Sequence, residues 1–129
     1  MTNTILLILL GGLFTKHFVV DFPLQVPYHY TNKGTYGHPG GILHSLYHAI
    51  GTALVVYMFT PASILFTLVL AVGDGVIHYH VDWAKMNINK YLKWGPTTHE
   101  YFWWLLGFDQ FVHALTYLGI AHIIVWRLV

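Results

Sequence analysis

Four stretches of the chain are apolar over nearly their whole length, and turn-rich segments separate them. The runs fall at about 4–22, 41–60, 62–83 and 101–128, each near the roughly 20 residues that a helix needs to cross a bilayer. Thr60-Pro61 predicts a tight hairpin between the second and third runs. The segments 23–40 and 84–100 hold Gly, Pro, Asn and aromatic residues and predict long loops. The pattern predicts an all-α protein: one transmembrane domain over 1–129, an integral membrane four-helix bundle in up-down-up-down order. Both long loops then share one face and both termini the other.

The polar positions inside these runs are not scattered. The first run carries His17 and Asp21 in "HFVVD", and the second carries His44 and His48 in "HSLYH". The third carries Asp74, His78 and Asp82 in "DGVIHYHVD", and the fourth Asp109 and His113 in "DQFVH". A spacing of i, i+4 puts each set on one helix face. The sets lie late in runs one and three and early in runs two and four. In alternating helices they meet in one layer near the loop face. These nine residues include every Asp of the chain and five of its ten His.

Composition makes the membrane reading firm. The chain is 56% hydrophobic and 9% charged, against roughly 25% charged in soluble domains. It has no Cys, which excludes thiolate metal sites, thiol nucleophiles and disulfides. A net charge of +1 gives no footprint for nucleic acid. The first run lacks a basic leader and a small-residue cleavage site, so it predicts a retained helix. Tyr28, Tyr30, Tyr36, Trp83, Tyr91, Trp94, Tyr101, Trp103 and Trp104 form an aromatic belt at the loop face. Lys33, Lys85, Lys90 and Lys93 in the loops, against Arg127 and the terminal amine, predict cytoplasmic loops and external termini.

Buried carboxylates must be paired. Lys16 is the only basic residue in the helical part of the layer, and two divalent ions would balance four Asp. Nine imidazole and carboxylate ligands exceed what one tetrahedral ion takes and fit two or three divalent metal ions, with Zn favoured over Fe or Mn. A metal-free proton relay or interhelical polar contacts are the alternatives. Asp82, near a helix end, is a ligand, an orienting partner or the general base. His80 points about 200° from His78 on a helix and reads as a non-ligand. His29, His38 and His99 fall in loops, on the surface or facing substrate, and His122 is structural. Lys16, Gln25, Lys33 and Gln110 are candidate substrate contacts; ordinary snorkelling or helix and loop hydrogen bonding is the plainer account of each. "GDG" at 73–75 predicts close helix packing.

The ordered motifs "HFVVDFPLQ", "NKG", "LHSLYHA", "HYHVDWAK" and "DQFVHALTY" resemble a family of small bacterial and phage membrane proteins, domain of unknown function family 3307. The resemblance spans nearly the whole chain. It implies a four-helix domain in the bacterial inner membrane and supplies no activity. A weaker likeness links His17/Asp21 and His78/Asp82 to the HxxxD ligand pairs of the zinc phospholipase C and P1 nuclease group. Chain order differs and that group's N-terminal Trp ligand is missing, so the likeness is of ligand set, not of fold.

The favoured expectation is a membrane-embedded, metal-dependent hydrolase of a phosphoester or a lipid-linked substrate, with Lys16 and Lys33 holding the anion and 23–40 as a lid. A di-iron oxidase or desaturase is the runner-up, against which stand a single HxxxH and Asp in place of Glu. A non-enzymatic metal transporter, a sensor or a structural metalloprotein is third. The partner is membrane lipid, with a homo-oligomer or a membrane partner subunit left open.

Overall fold

A computed structural model describes residues 3–128. It contains five helices: α1 (Asn3–Asp21), α2 (Pro27–Tyr30), α3 (Pro39–Phe59), α4 (Ile64–Leu92) and α5 (Tyr101–Leu128). No strand occurs among the described residues.

Local chemistry sets the helix ends. Pro39 opens α3, where its missing N–H costs nothing, and His38 caps it by accepting from the Gly40 amide at 3.0 Å. Ser63 caps α4 by accepting from Phe66 N–H. Lys93 ends α4 with a left-handed φ of 56°. The Trp94 amide then bonds the Asn89 carbonyl and the Lys93 amide bonds that of Lys90, the Schellman arrangement.

The third apolar run stops at about 83, but α4 continues to Leu92. Hydropathy marks only the apolar part of a helix. Ala84, Lys85, Met86 and Lys90 are good helix formers, so the helix continues as a polar one. The second long loop shrinks to 93–100, and Lys85 moves onto a helix face one turn from Asp82.

The four long helices touch in the cyclic order α1, α3, α4, α5 and back to α1, and α2 rests on α3. The α3–α4 pair is the most extensive. At its centre a Cβ on Gly75 would stand 3.1 Å from Ala49 Cβ and 3.2 Å from the Ser45 carbonyl. Glycine there lets the two backbones approach at the depth of the polar layer. Away from that layer, Leu9, Leu13, Val56, Leu70, Tyr117, Ile120 and Ile124 form an apolar core. Large apolar side chains cover the outside, among them Leu7, Leu65, Val72 and Phe108. By length and composition all four long helices are able to cross a membrane.

Candidate metal centre

Asp21 sits among imidazoles. Its Oδ1 lies 2.9 Å from His48 Nε2, 3.1 Å from His44 Nε2 and 3.4 Å from His78 Nε2, and its Oδ2 lies 3.1 Å from His17 Nε2. Asp82 Oδ2 lies 3.3 Å from His44 Nε2 and 3.4 Å from His78 Nε2. His113 Nε2 is 3.3 Å from Asp109 Oδ1 and 3.9 Å from Asp82 Oδ1. All eight residues are at most 8% exposed. The rings of His48, His78 and His113 stack in a column, with centroids 3.5 and 4.0 Å apart, so packing orients His78.

Three sets of donors can hold an ion: His17, Asp21, His48 and His78; His44, His78 and Asp82; and Asp82, Asp109 and His113. The second is a nearly equilateral triangle. Its three edges are 3.3 Å (His44 Nε2 to His78 Nε2), 3.3 Å (His44 Nε2 to Asp82 Oδ2) and 3.4 Å (His78 Nε2 to Asp82 Oδ2). A tetrahedral zinc with bonds of about 2.0–2.1 Å has ligand–ligand edges of about 3.3–3.4 Å. The third set is looser and unfinished: neither Asp109 Oδ1 nor His113 Nε2 makes a hydrogen bond.

Asp74, expected as a ligand, stands apart from all three sets. Its Oδ2 accepts from Lys16 Nζ at 2.6 Å and from Thr52 Oγ1 at 2.6 Å. Lys16, expected beside a substrate anion, is engaged three times: with Asp74, with the His48 carbonyl at 3.4 Å and with His48 Nδ1 at 3.2 Å. An ammonium has three donors and no acceptor. His48 Nδ1 therefore accepts, its proton sits on Nε2, and Nε2 donates to Asp21 Oδ1. Lys16 thus makes His48 a holder of Asp21. His17 is not fixed in this way. Its Nδ1 meets Tyr117 Oη at 2.7 Å, and a phenol can donate or accept. Its Nε2 faces two acceptors, Gln110 Oε1 at 2.9 Å and Asp21 Oδ2, which suits an N–H there. The Gln110 amide donates to Asp109 Oδ2 at 3.1 Å and to Asp21 Oδ2 at 3.4 Å.

Residues 23–40 cover the layer and are hydrogen-bonded to it. Lys33 is 7% exposed, and its ammonium donates to Asp82 Oδ2 at 2.9 Å and Gln25 Oε1 at 2.7 Å. Gln25 donates back to the Asp21 carbonyl. His29, expected at the surface, is 4% exposed and stacks edge-on to Tyr47, with its ring 6.0 Å from that of His44. Burial, and then the neighbouring His44, push its imidazole below the usual histidine range.

Lys85 donates to Asp109 Oδ2 at 2.9 Å and to Asp82 Oδ1 at 3.3 Å. Three lysines, not Lys16 alone, accompany the four Asp, leaving one negative charge when the His are neutral. The demand for two balancing divalent ions is reduced accordingly. Asp82, expected as the general base, is bonded to a lysine at each oxygen. Elsewhere, exposed His80 pairs with Tyr36 Oη at 3.0 Å, exposed His99 stacks with Tyr101, and His122 is exposed.

Lys85, expected in a loop, and Tyr117 are not among the residues the sequence pattern points to for the site. The signal for Lys85 was its position three residues after Asp82, hidden by ending the helix at 83. Tyr117 follows His113 by four residues on the same face of α5.

A family model described as Protein of unknown function (DUF3307) matches residues 6–128. No curated protein and no solved structure matches the chain.

Proposed function

The chain belongs to the DUF3307 family, and from that premise we propose that it is a membrane-embedded, zinc-dependent hydrolase of a phosphoester on an amphiphilic or lipid-linked substrate. One observation carries the reading. His44, His78 and Asp82 form a triangle with the edges of one face of a zinc tetrahedron. Three protein ligands and a place for water is the pattern of catalytic zinc; Asp21 Oδ1, 3.1 and 3.4 Å from the same two imidazole nitrogens, borders the remaining position.

An ion held there would supply Lewis acidity and would acidify water toward neutral pH. The protein's own groups do the rest. Asp109 Oδ1, buried and without a hydrogen-bond partner, takes the proton of the attacking water. The water oxygen bonds to phosphorus as the ester P–O bond breaks, and Asp109 passes the proton on to the leaving oxygen. Lys33 and Lys85 hold Asp82 in place from either side, and 23–40 keep bulk water out. Asp82, Asp109 and His113 are a second, looser donor set, and Asp109 acts as the base only while that set holds no ion. His78 serves only one ion through its Nε2, so the first and second donor sets compete there.

The membrane setting rests on the four apolar helices. Their pairings, such as Asp21 with His44, Thr52 with Asp74 and Lys85 with Asp109, support up-down-up-down order. Lys33 and Lys85 are bound up in the site. Lys90 and Lys93 against Arg127 therefore remain as the support for loops facing the cytoplasm of the bacterial inner membrane.

The test is turnover of a panel of lipid phosphomonoesters, lipid pyrophosphates and nucleotides by zinc-loaded and chelator-treated protein. Zinc-dependent release of phosphate is expected, and Asp109→Asn should lower it by about 10²–10⁴-fold while zinc is retained. Oxygen uptake by iron-loaded protein, with no cleavage by the zinc form, would replace this reading with the di-iron oxidase.

A further inference from the structure

Among the described residues, three of the cavities on the outer surface of the long helices differ in what lies behind them. The largest, about 410 Å³, runs between α3 and α4 past Tyr36, Ala49, Gly75 and His80. It touches none of the metal-capable residues. The second, about 250 Å³, reaches Lys16 between α1 and α3. All three donors of that ammonium are already engaged, with Asp74 and His48.

The third, about 150 Å³, lies between α4 and α5. Ala84, Ile88, Leu105 and Phe108 form its apolar wall, and Lys85 and Asp109 line its inner end. Here the polar groups are not all engaged. Lys85 uses two donors, on Asp109 and Asp82, and an ammonium has three. Asp109 Oδ1 has no hydrogen-bond partner, and neither has His113 Nε2, which it faces at 3.3 Å. Both residues are at most 2% exposed.

We infer that the α4–α5 seam is the lateral entrance to the site, and that it admits an anionic lipid. One acyl chain lies along the apolar wall and the phosphate rests beside Lys85. A volume near 150 Å³ equals the share of about five waters, room for a short length of chain and not for a whole lipid, so the remainder stays in the bilayer. The inference rests on the proposed hydrolase for its chemistry: with neutral His, Asp21, Asp82 and Asp109 outweigh Lys33 and Lys85 by one charge, and a divalent ion would turn that balance positive, toward an anion.

The experiment uses the full chain in phosphatidylcholine vesicles doped with phosphatidic acid that carries a diazirine in the acyl chain near its carboxyl end. After illumination, adducts are mapped by mass spectrometry, and zinc is measured in the same sample. Adducts should concentrate on peptides spanning 81–88 and 105–112. They should fall about tenfold in Ala84→Phe, which fills the seam, while zinc stays unchanged. Val112→Phe serves the same purpose should Ala84→Phe not fold. A diazirine phosphatidylcholine should label the seam far less. Adducts spread evenly, or gathered in the α3–α4 groove, in zinc-loaded protein overturn the entrance alone. Adducts at the seam in protein that binds no zinc uphold the entrance and overturn the hydrolase.

Discussion

Lys16 of α1 and Asp74 of α4 meet at 2.6 Å, with the lysine stem passing over Gly51 of α3. A Cβ on Gly51 would stand 3.3–3.4 Å from that stem, so the glycine leaves it a path. The pair is nearly inaccessible to solvent, and its consequence is chemical. It keeps Asp74 out of the three candidate donor sets and makes His48 a hydrogen-bond donor.

Breaking that pair should destabilise without emptying the site. Lys16→Met leaves a buried carboxylate without its cation, a class of change that costs about 3–5 kcal/mol. Lys16→Met with Asp74→Leu should recover most of the loss. Thermal unfolding in detergent measures the stability, and elemental analysis the zinc. Loss of zinc in a folded Asp74→Leu/Lys16→Met protein would return Asp74 to the ligand set.

The buried histidines should divide into two classes. His44→Gln and His78→Gln remove a corner of the zinc triangle and should abolish binding. His48→Gln keeps a donor toward Asp21 and should bind zinc within about threefold of the parent, less than the 10–100-fold that even an orienting partner of a ligand can cost. Titration with a competing chelator reads both. Equal losses at His48 and His78 would favour the four-residue set around Asp21.

The sites differ in how far the sequence revealed them. The i, i+4 pairs and their common depth were legible, because helical period and apolar run length are local properties. Asp74 misled because it shares a stripe with His78 and Asp82. It lies eight residues before Asp82, about 12 Å along the helix, and at that depth it meets Lys16 instead of the imidazoles. Lys33 reaches Asp82 from 49 positions away through a loop, and no periodicity reports such a contact. Lys85 was hidden by an apolar run that ends before its helix does.

Lys93→Gly should stabilise the protein by about 1 kcal/mol, since the left-handed conformation costs a side-chain-bearing residue roughly 1–2 kcal/mol. Zinc content should not change. An unaltered unfolding temperature would mean that the end of α4 relaxes freely.

Orientation is testable in a chain that has no native Cys. Cysteines at exposed Thr97 and exposed Ser63 should react with a membrane-impermeant maleimide from opposite sides, with Thr97→Cys labelled only after cells are opened. Labelling of Thr97→Cys in intact cells would place the loop face, and the site beneath it, outside.

The central claim is that His44, His78 and Asp82 hold an ion. Its most direct test is the metal content of protein purified without a His tag or chelating resin. The account predicts at least one zinc per chain, with nitrogen and oxygen neighbours at about 2.0–2.2 Å by X-ray absorption, and none in a folded His78→Gln variant. Folded wild-type protein that contains no divalent metal and takes up none on dialysis would contradict it, leaving the layer as a network of hydrogen bonds and lysine–carboxylate pairs.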